Sequence, residues 1–302
     1  MKSAVLFLTY RRFETAEKVF ESIRQARPLR LYFASNGSNS KNVGEDERVK
    51  EVRALVDRID WPCELHTLFR DEHLSVKYSI TSSIDWFFET EEMGIILEDD
   101  CLPSDSFYPF CDELLEKYKD DERIGFITAM NYLEKTGGSE SYFFSEYPAI
   151  WGWATWKKVW LNYDLDMRGL DVLLSSDEFI KSFDDFREYK YWAKWFAKVA
   201  SGRVNTWDAQ VSYLSFRYRY LTITPKVNLL TNLGFGPDSN FTKNTNSPIA
   251  RIKRFDMDAD LAHPDSKDHV VNRSYDIGRN KLEGLGDAFC LKVIKRLREQ
   301  FL

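Results

Sequence analysis

The stretch GIILEDDCLPSDSFYPFCDELLEKY, residues 94–118, decides the fold. Gly94–Leu97 is a continuous apolar run of strand length, the pattern of a strand covered on both faces. Glu98-Asp99-Asp100 ends it, and Pro103-Ser104 reads as a tight helix start. Phe107, Phe110, Leu114, Leu115 and Tyr118 then recur at helical spacing. Three adjacent carboxylates repel one another unless a cation sits among them. Strand alternation sends Glu98 and Asp100 to one side and Asp99 to the other. Carboxylates are also common in plain solvated loops; the position directly after a buried strand favours chemistry.

Upstream, strand and helix patterns alternate. Ala4–Thr9 and Leu31–Ala34 read as strands, the second stopped by Asn36-Gly37. Between them Phe13, Ala16, Val19, Phe20 and Ile23 mark a helix, and Val49, Val52, Leu55, Val56 and Ile59 mark another. Glu64–Phe69 is a third strand. Ser75 is placed to cap a helix carrying Val76, Ile80, Ile84, Phe87 and Phe88. Downstream comes a strand at Ile124–Thr128. Repeated units of this kind predict an α/β fold with a mostly parallel, Rossmann-like sheet flanked by helices. Ligands of such sheets bind beyond the carboxyl ends of the strands. Thr9, Asn36, Phe69-Arg70 and Glu98-Asp99-Asp100 should therefore share one edge.

From about residue 131 the pattern changes. A Gly- and Ser-containing loop (Thr136–Ser141) leads to an aromatic segment from Tyr142 to Trp160. Helical patterns follow over 169–219, then a strand at Leu221–Thr224 and an irregular polar run from Asn228 to Ser247. The division read from this is 1–130 and 131–250 as two halves of one domain, and 251–302 as a C-terminal extension. Within the extension, Cys290, Val293, Ile294, Leu297 and Phe301 form one face of an amphipathic helix at 287–302, with Lys292, Lys295, Arg296 and Arg298 beside them. Such a helix suits a peripheral contact with an anionic membrane, a dimer contact, or docking on its own domain.

Composition narrows the function classes. A net charge of -6, from 42 basic and 48 acidic residues, argues against nucleic acid held by a general positive field. The first residues do not read as a secretory signal, and no run reaches the roughly 20 apolar residues of a membrane span. The four cysteines form no CxxC pair and read as reduced thiols. A cytoplasmic protein, free or on the cytoplasmic face of the membrane, is the expectation. Aromatic residues are abundant (9 Trp, 15 Tyr, 22 Phe); most must be core, and a minority in a cleft would suit stacking on sugar rings or a base.

The 94–118 segment, together with GWATWKKVW (152–160) and WDAQ (207–210), resembles the GT-A glycosyltransferases, in particular the N-acetylglucosaminyltransferase I type. The likeness runs in order and spacing over about residues 1–245 and fades after 250. It implies a GT-A fold and a metal-dependent transfer of a sugar from a UDP-sugar to a glycan or lipid-linked glycan of bacterial polysaccharide biosynthesis. By this resemblance Asp100 is the ligand of Mn²⁺ or Mg²⁺, and Glu98 and Asp99 hold the donor. A hard divalent ion of this kind prefers carboxylate oxygen plus phosphates and water.

The resemblance also puts the loop Thr9-Tyr10-Arg11 against base and ribose, with Asn36 and Gly37 beside it. Thr9 can hydrogen-bond a uracil edge and Arg11 can reach a phosphate, although an exposed arginine needs no ligand. Lys77, in the first turn of its helix, and Arg70, after the third strand, are candidates for the diphosphate; a solvated lysine reads equally well. Gly152 would let backbone approach the donor sugar, and Trp153 would wall its pocket. Gly234, within Asn232–Gly236, suits a lid that excludes water. Asp208 in WDAQ corresponds to the general base of an inverting transfer; its plainer role is charging a helix N-terminus. His263 stays outside the metal set. Two other functions compete: a sugar nucleotidyltransferase, against which the glycine-free loop TYRRFETAEK counts, and a noncatalytic carbohydrate-binding protein of transferase fold.

Overall fold

The computed structural model describes residues 1–183, 185–236, 247–265 and 268–282. The first half is built as its periodicities dictate. Strand β1 (Ala4–Thr9) is fully apolar up to Thr9 and wholly buried. Helix α1 (Phe13–Ala26) buries the stripe Ala16, Val19, Phe20 and Ile23. After β2 (Arg30–Ser35), α2 (Glu45–Arg53) gives way to a 3₁₀ turn at Ala54–Arg58. The single helix read from Val49 to Ile59 is thus two pieces that bury Val49, Val52 and Leu55.

Strand β3 (Glu64–Phe69), helix α3 (Val76–Thr90) and strand β4 (Met93–Glu98) complete the first sheet half. Ser75 occupies the position before α3, but its side chain makes no capping bond. Pro103-Ser104 is not a helix start either: Pro103 ends the short strand β5 (Cys101–Pro103), and α4 runs from Phe107 to Lys117. Strand β6 is Ile124–Thr128.

The aromatic segment supplies two strands, β7 (Tyr142–Ser145) and β8 (Trp153–Trp156), then the single turn α5 (Lys157–Trp160). Four helices follow: α6 (Leu170–Ser175), α7 (Asp177–Lys181), α8 (Phe186–Ala200) and α9 (Asp208–Tyr218). Strands β9 (Leu221–Pro225) and β10 (Leu230–Asn232) and helix α10 (Arg273–Leu282) end the described chain. Residues 287–302, read as an amphipathic helix, lie outside the described residues.

The eight-stranded sheet has the order β3-β2-β1-β4-β8-β6-β9-β7. Neighbours β3, β2, β1 and β4 are parallel, while β8 runs against both β4 and β6, and β7 runs against β9. The architecture is therefore α/β with a mostly parallel sheet flanked by helices, as its βα units imply. Register aligns Thr9 with Ser35, Ser35 with Phe69, and Leu8 with Glu98. All four strand ends meet along one edge.

Two apolar clusters hold the molecule together. The larger covers both faces of the sheet, and a smaller one joins Phe179, Trp192, Phe196 and Tyr213 among α7, α8 and α9. Helix α8 has a strong apolar stripe facing α9, which gives the second half its own packing. Among the described residues no helix is long and apolar enough to cross a membrane.

Candidate functional site

The acidic triplet sits where β4 leaves the sheet, clamped from two sides. Antiparallel pairing of β5 with β10 sets Asn232 opposite Cys101 and carries the chain on beside Asp100. The Leu233 N–H donates to the Asp100 carbonyl at 2.7 Å. A Cβ on Gly234 would fall 2.0 Å from Asp100 Oδ2, so any larger residue here would push the carboxylate from its present position. From the other side comes the loop after β1. The Tyr10 N–H donates to Asp99 Oδ2 at 3.3 Å, and Arg12 bonds Asp99 Oδ1. The same guanidinium nitrogen lies 2.9 Å from Asp100 Oδ2.

Charge is crowded here. Burial pushes the Asp99 carboxyl up to about 6, with Arg12 opposing and Asp100 assisting. Burial pushes Glu98 well above the ordinary carboxylate range, and the charges of Asp100 and Asp99 push the same way. Arg12 opposes this rise, and Asp208 adds a smaller upward push. One guanidinium, that of Arg12, thus faces the two carboxylates of Asp99 and Asp100 at a desolvated edge.

Asp208 is the first residue of α9 and is exposed. The helix start is fixed by aromatic packing: Trp207 is buried against Trp153, and Tyr163, stacked on Trp160, donates its hydroxyl to the Trp207 carbonyl. Asp208 Oδ1 accepts from the Thr206 hydroxyl and the Ala209 N–H. It thus does serve the helix N-terminus while its charge reaches Glu98.

A cavity of about 570 Å³ opens over this edge. Thr9, Arg11, Asn36, Glu98 and Asp99 line it, and the segment Arg203-Val204-Asn205 leading to α9 forms another part of its wall. Its far end is built on Glu45, a buried carboxylate. Burial works against the Glu45 charge, yet donors from Tyr10, the Asn39 N–H, Asn42 and Arg11 hold its carboxyl at about 2. The Tyr10 hydroxyl also lies 3.0 Å from His73 Nδ1. The wall is therefore a fixed polar lattice of the kind that orients a ligand.

Several expected contacts take other forms. Asn36 is consumed by the fold: its Oδ1 accepts from the Gly37 and Leu74 N–H groups and its Nδ2 donates to the Leu74 carbonyl. The room at Gly37 is taken by backbone, since a Cβ there would meet the Glu72 carbonyl group at 2.3 Å. Thr9 donates its hydroxyl to the Ala34 carbonyl. Arg70 turns to Ser82 of α3 at 2.6 Å and does not line the cavity. Lys77 is also absent from the lining, because α3 presents Val76, Ser79, Ile80 and Ser83 there instead.

Trp153 is no pocket wall. It is 1% exposed and packs on Phe126, Trp160 and Trp207, in a strand buried along its whole length. Gly152 holds a left-handed backbone (φ 61°), and a Cβ would fall 2.4 Å from Leu230 Cδ1. Its smallness serves β10 rather than a sugar. His263 lies between the Tyr142 hydroxyl at 2.9 Å and Glu113 at 3.0 Å.

Sequence reasoning missed Arg12, Glu45 and His73. The pair Arg11-Arg12 was in view, but adjacency in sequence does not say which arginine faces the acids. A second cavity, about 330 Å³, lies among α6, α7 and α9 and contains none of the expected site residues.

No known protein-family profile matches the chain. No curated protein sequence matches it either. Partial likenesses occur among solved structures. A UDP-glucose pyrophosphorylase complexed with UDP-glucose shares 9% identity at a TM-score of 0.39, covering 76% of this chain and 92% of its own. An inositol-1-phosphate CTP transferase from T. maritima shares 13% at 0.34, covering 85% and 98%. The 4-diphosphocytidyl-2C-methyl-D-erythritol synthase from Anaerococcus prevotii shares 8% at 0.35, covering 61% and 84%. Overlap this slight carries no conclusion about reaction, and none of the three is an N-acetylglucosaminyltransferase.

Proposed function

We propose that the chain is a transferase acting on a nucleotide-sugar, with the nucleotide in the cavity over the β1–β4 edge and the diphosphate beside Asp100. The observation that carries this reading is the pair Glu98 and Asp99 in the wall of that cavity, with Asp100 joined to Asp99 through the Arg12 guanidinium. The carboxylates there suit a hard divalent cation, Mn²⁺ or Mg²⁺, with Asp100 as its protein ligand. Gly234 supports this fit, since the absent Cβ leaves the Asp100 carboxylate within a backbone cradle. Among the described residues no three His, Cys, Asp or Glu side chains form a complete metal cage. One carboxylate with diphosphate oxygens and water is the coordination this edge offers. A bound ion would supply charge neutralisation for the departing diphosphate.

Of the reactions open to such a site, we favour inverting transfer of a sugar from UDP to a glycan or lipid-linked glycan. Asp208 is exposed at the start of α9, and the segment leading to it walls the cavity, a placement open to an acceptor hydroxyl. Sugar nucleotidyl transfer is the second reading. Product analysis separates the two. Incubation with UDP-sugars and candidate acceptors should release UDP, and Asp208→Asn should slow this by about 10²–10⁴-fold while leaving UDP affinity intact. Pyrophosphate release from UTP and a sugar phosphate, unaffected by Asp208→Asn, would establish the second reading instead.

A further inference from the structure

We propose that Arg12 is a built-in placeholder cation, occupying the cation position at Asp100 until a divalent ion and a diphosphate displace it. The inference rests on the reading of Asp100 as a metal ligand and adds to it a role for the arginine. A single Arg12 nitrogen serves both acids, bonding Asp99 Oδ1 and lying 2.9 Å from Asp100 Oδ2. This is the contact of a point charge, not the two-pronged fork by which arginine usually grips one carboxylate.

The acids are more enclosed than the arginine that bonds them. Asp100 is held by the Leu233 N–H on its carbonyl, by Cys101 Sγ at 3.5 Å from Oδ1, and by the Gly234 backbone against Oδ2. Asp99 and Asp100 side chains are 5% and 15% exposed, whereas that of Arg12 is 33% exposed and has a path to solvent. Arg12 also precedes the first turn of α1 and makes no capping bond there. The positive end of a helix dipole disfavours a cation, so its position answers to the acids rather than to the helix.

Arg12 and a divalent ion therefore compete for Asp100 Oδ2, and a diphosphate offers the displaced guanidinium a new partner. Ion and nucleotide should then bind cooperatively, since each favours the same rearranged state.

The test measures Mn²⁺ binding from the free-ion paramagnetic resonance signal, with and without UDP, in wild type, Arg12→Gln, Arg12→Lys and Asp100→Asn. Without UDP, Arg12→Gln should bind Mn²⁺ about tenfold tighter than wild type, a coupling of ordinary size, with Arg12→Lys between them. UDP should raise the Mn²⁺ affinity of wild type more than that of Arg12→Gln. If Arg12→Gln fails to fold by circular dichroism, Arg12→Lys must still bind Mn²⁺ tighter than wild type. Unchanged or weaker Mn²⁺ binding in the Arg12 variants, with Mn²⁺–UDP still bound through Asp100, overturns the placeholder alone. Absence of Mn²⁺ binding in every variant overturns the metal reading together with it.

Discussion

The backbone of Gly234 lies against the carboxylate of Asp100, at a separation where a Cβ would sit 2.0 Å from Oδ2. The contact is made by the β5–β10 ladder, which joins the acidic loop to a segment more than a hundred residues later. It sets how the carboxylate points, so a change at the glycine should act on ligand binding before it acts on the fold.

Gly234→Ala should therefore weaken Mn²⁺–UDP binding by at least about tenfold, because the methyl must displace the carboxylate or the strand. Gly137→Ala is the control, since a Cβ there meets nothing within 4 Å. Titration calorimetry with thermal melts of both variants checks this; equal affinities would show that Asp100 does not need its present orientation.

Trp153→Ala should act on stability. The ring is 1% exposed among three other aromatics, and truncating such a side chain costs about 3–5 kcal/mol. The melting temperature should fall by about 6 °C or more, with UDP affinity of the folded protein within about twofold of wild type. Reduced UDP-sugar affinity at an unchanged melting temperature would return Trp153 to the donor pocket.

Asp276, on α10, supplies a pH dependence. Burial pushes its carboxyl up to about 6 from an ordinary 3.8, against donors from Ser145 and the Glu146 N–H and the nearby Arg279 charge. The folded state thus holds a proton that the unfolded state has released. Its contribution to stability is present below about pH 4, declines as pH rises to about 6, and is flat above. Asp276→Asn should remove this decline, on the order of 2–3 kcal/mol between the two limits. Urea midpoints of both proteins at pH 4, 5, 6 and 7 measure the difference; parallel profiles would contradict it.

Much of the sheet was legible because its strands carry strong local signals. Ala4–Thr9, Glu64–Phe69 and Ile124–Thr128 are apolar or alternating runs bounded by breakers, and the structure gives them the same limits. The acidic edge was legible for the same reason, being fixed by the end of β4. Strand β8 was hidden because Trp153–Trp156 is buried on both faces and so shows no alternation, and helix α5 follows it directly. Strands β5 and β10 are three residues each and exist only through their mutual pairing, which no local pattern announces. The same limit hid Arg12, whose significance comes from acids 87 and 88 positions away. It also misdirected the reading of Trp153 and Asn36: one is core and the other ties two loops, and both facts are tertiary.

The central claim is that a nucleotide diphosphate binds beside Asp100 with the help of a divalent ion. It is tested most directly by calorimetric titration of UDP and GDP, with and without Mn²⁺, into wild type and Asp100→Ala. Tight UDP binding that requires Mn²⁺ and is lost in Asp100→Ala is the predicted result. Binding of neither nucleotide under any condition, or binding indifferent to both Mn²⁺ and Asp100, would contradict it.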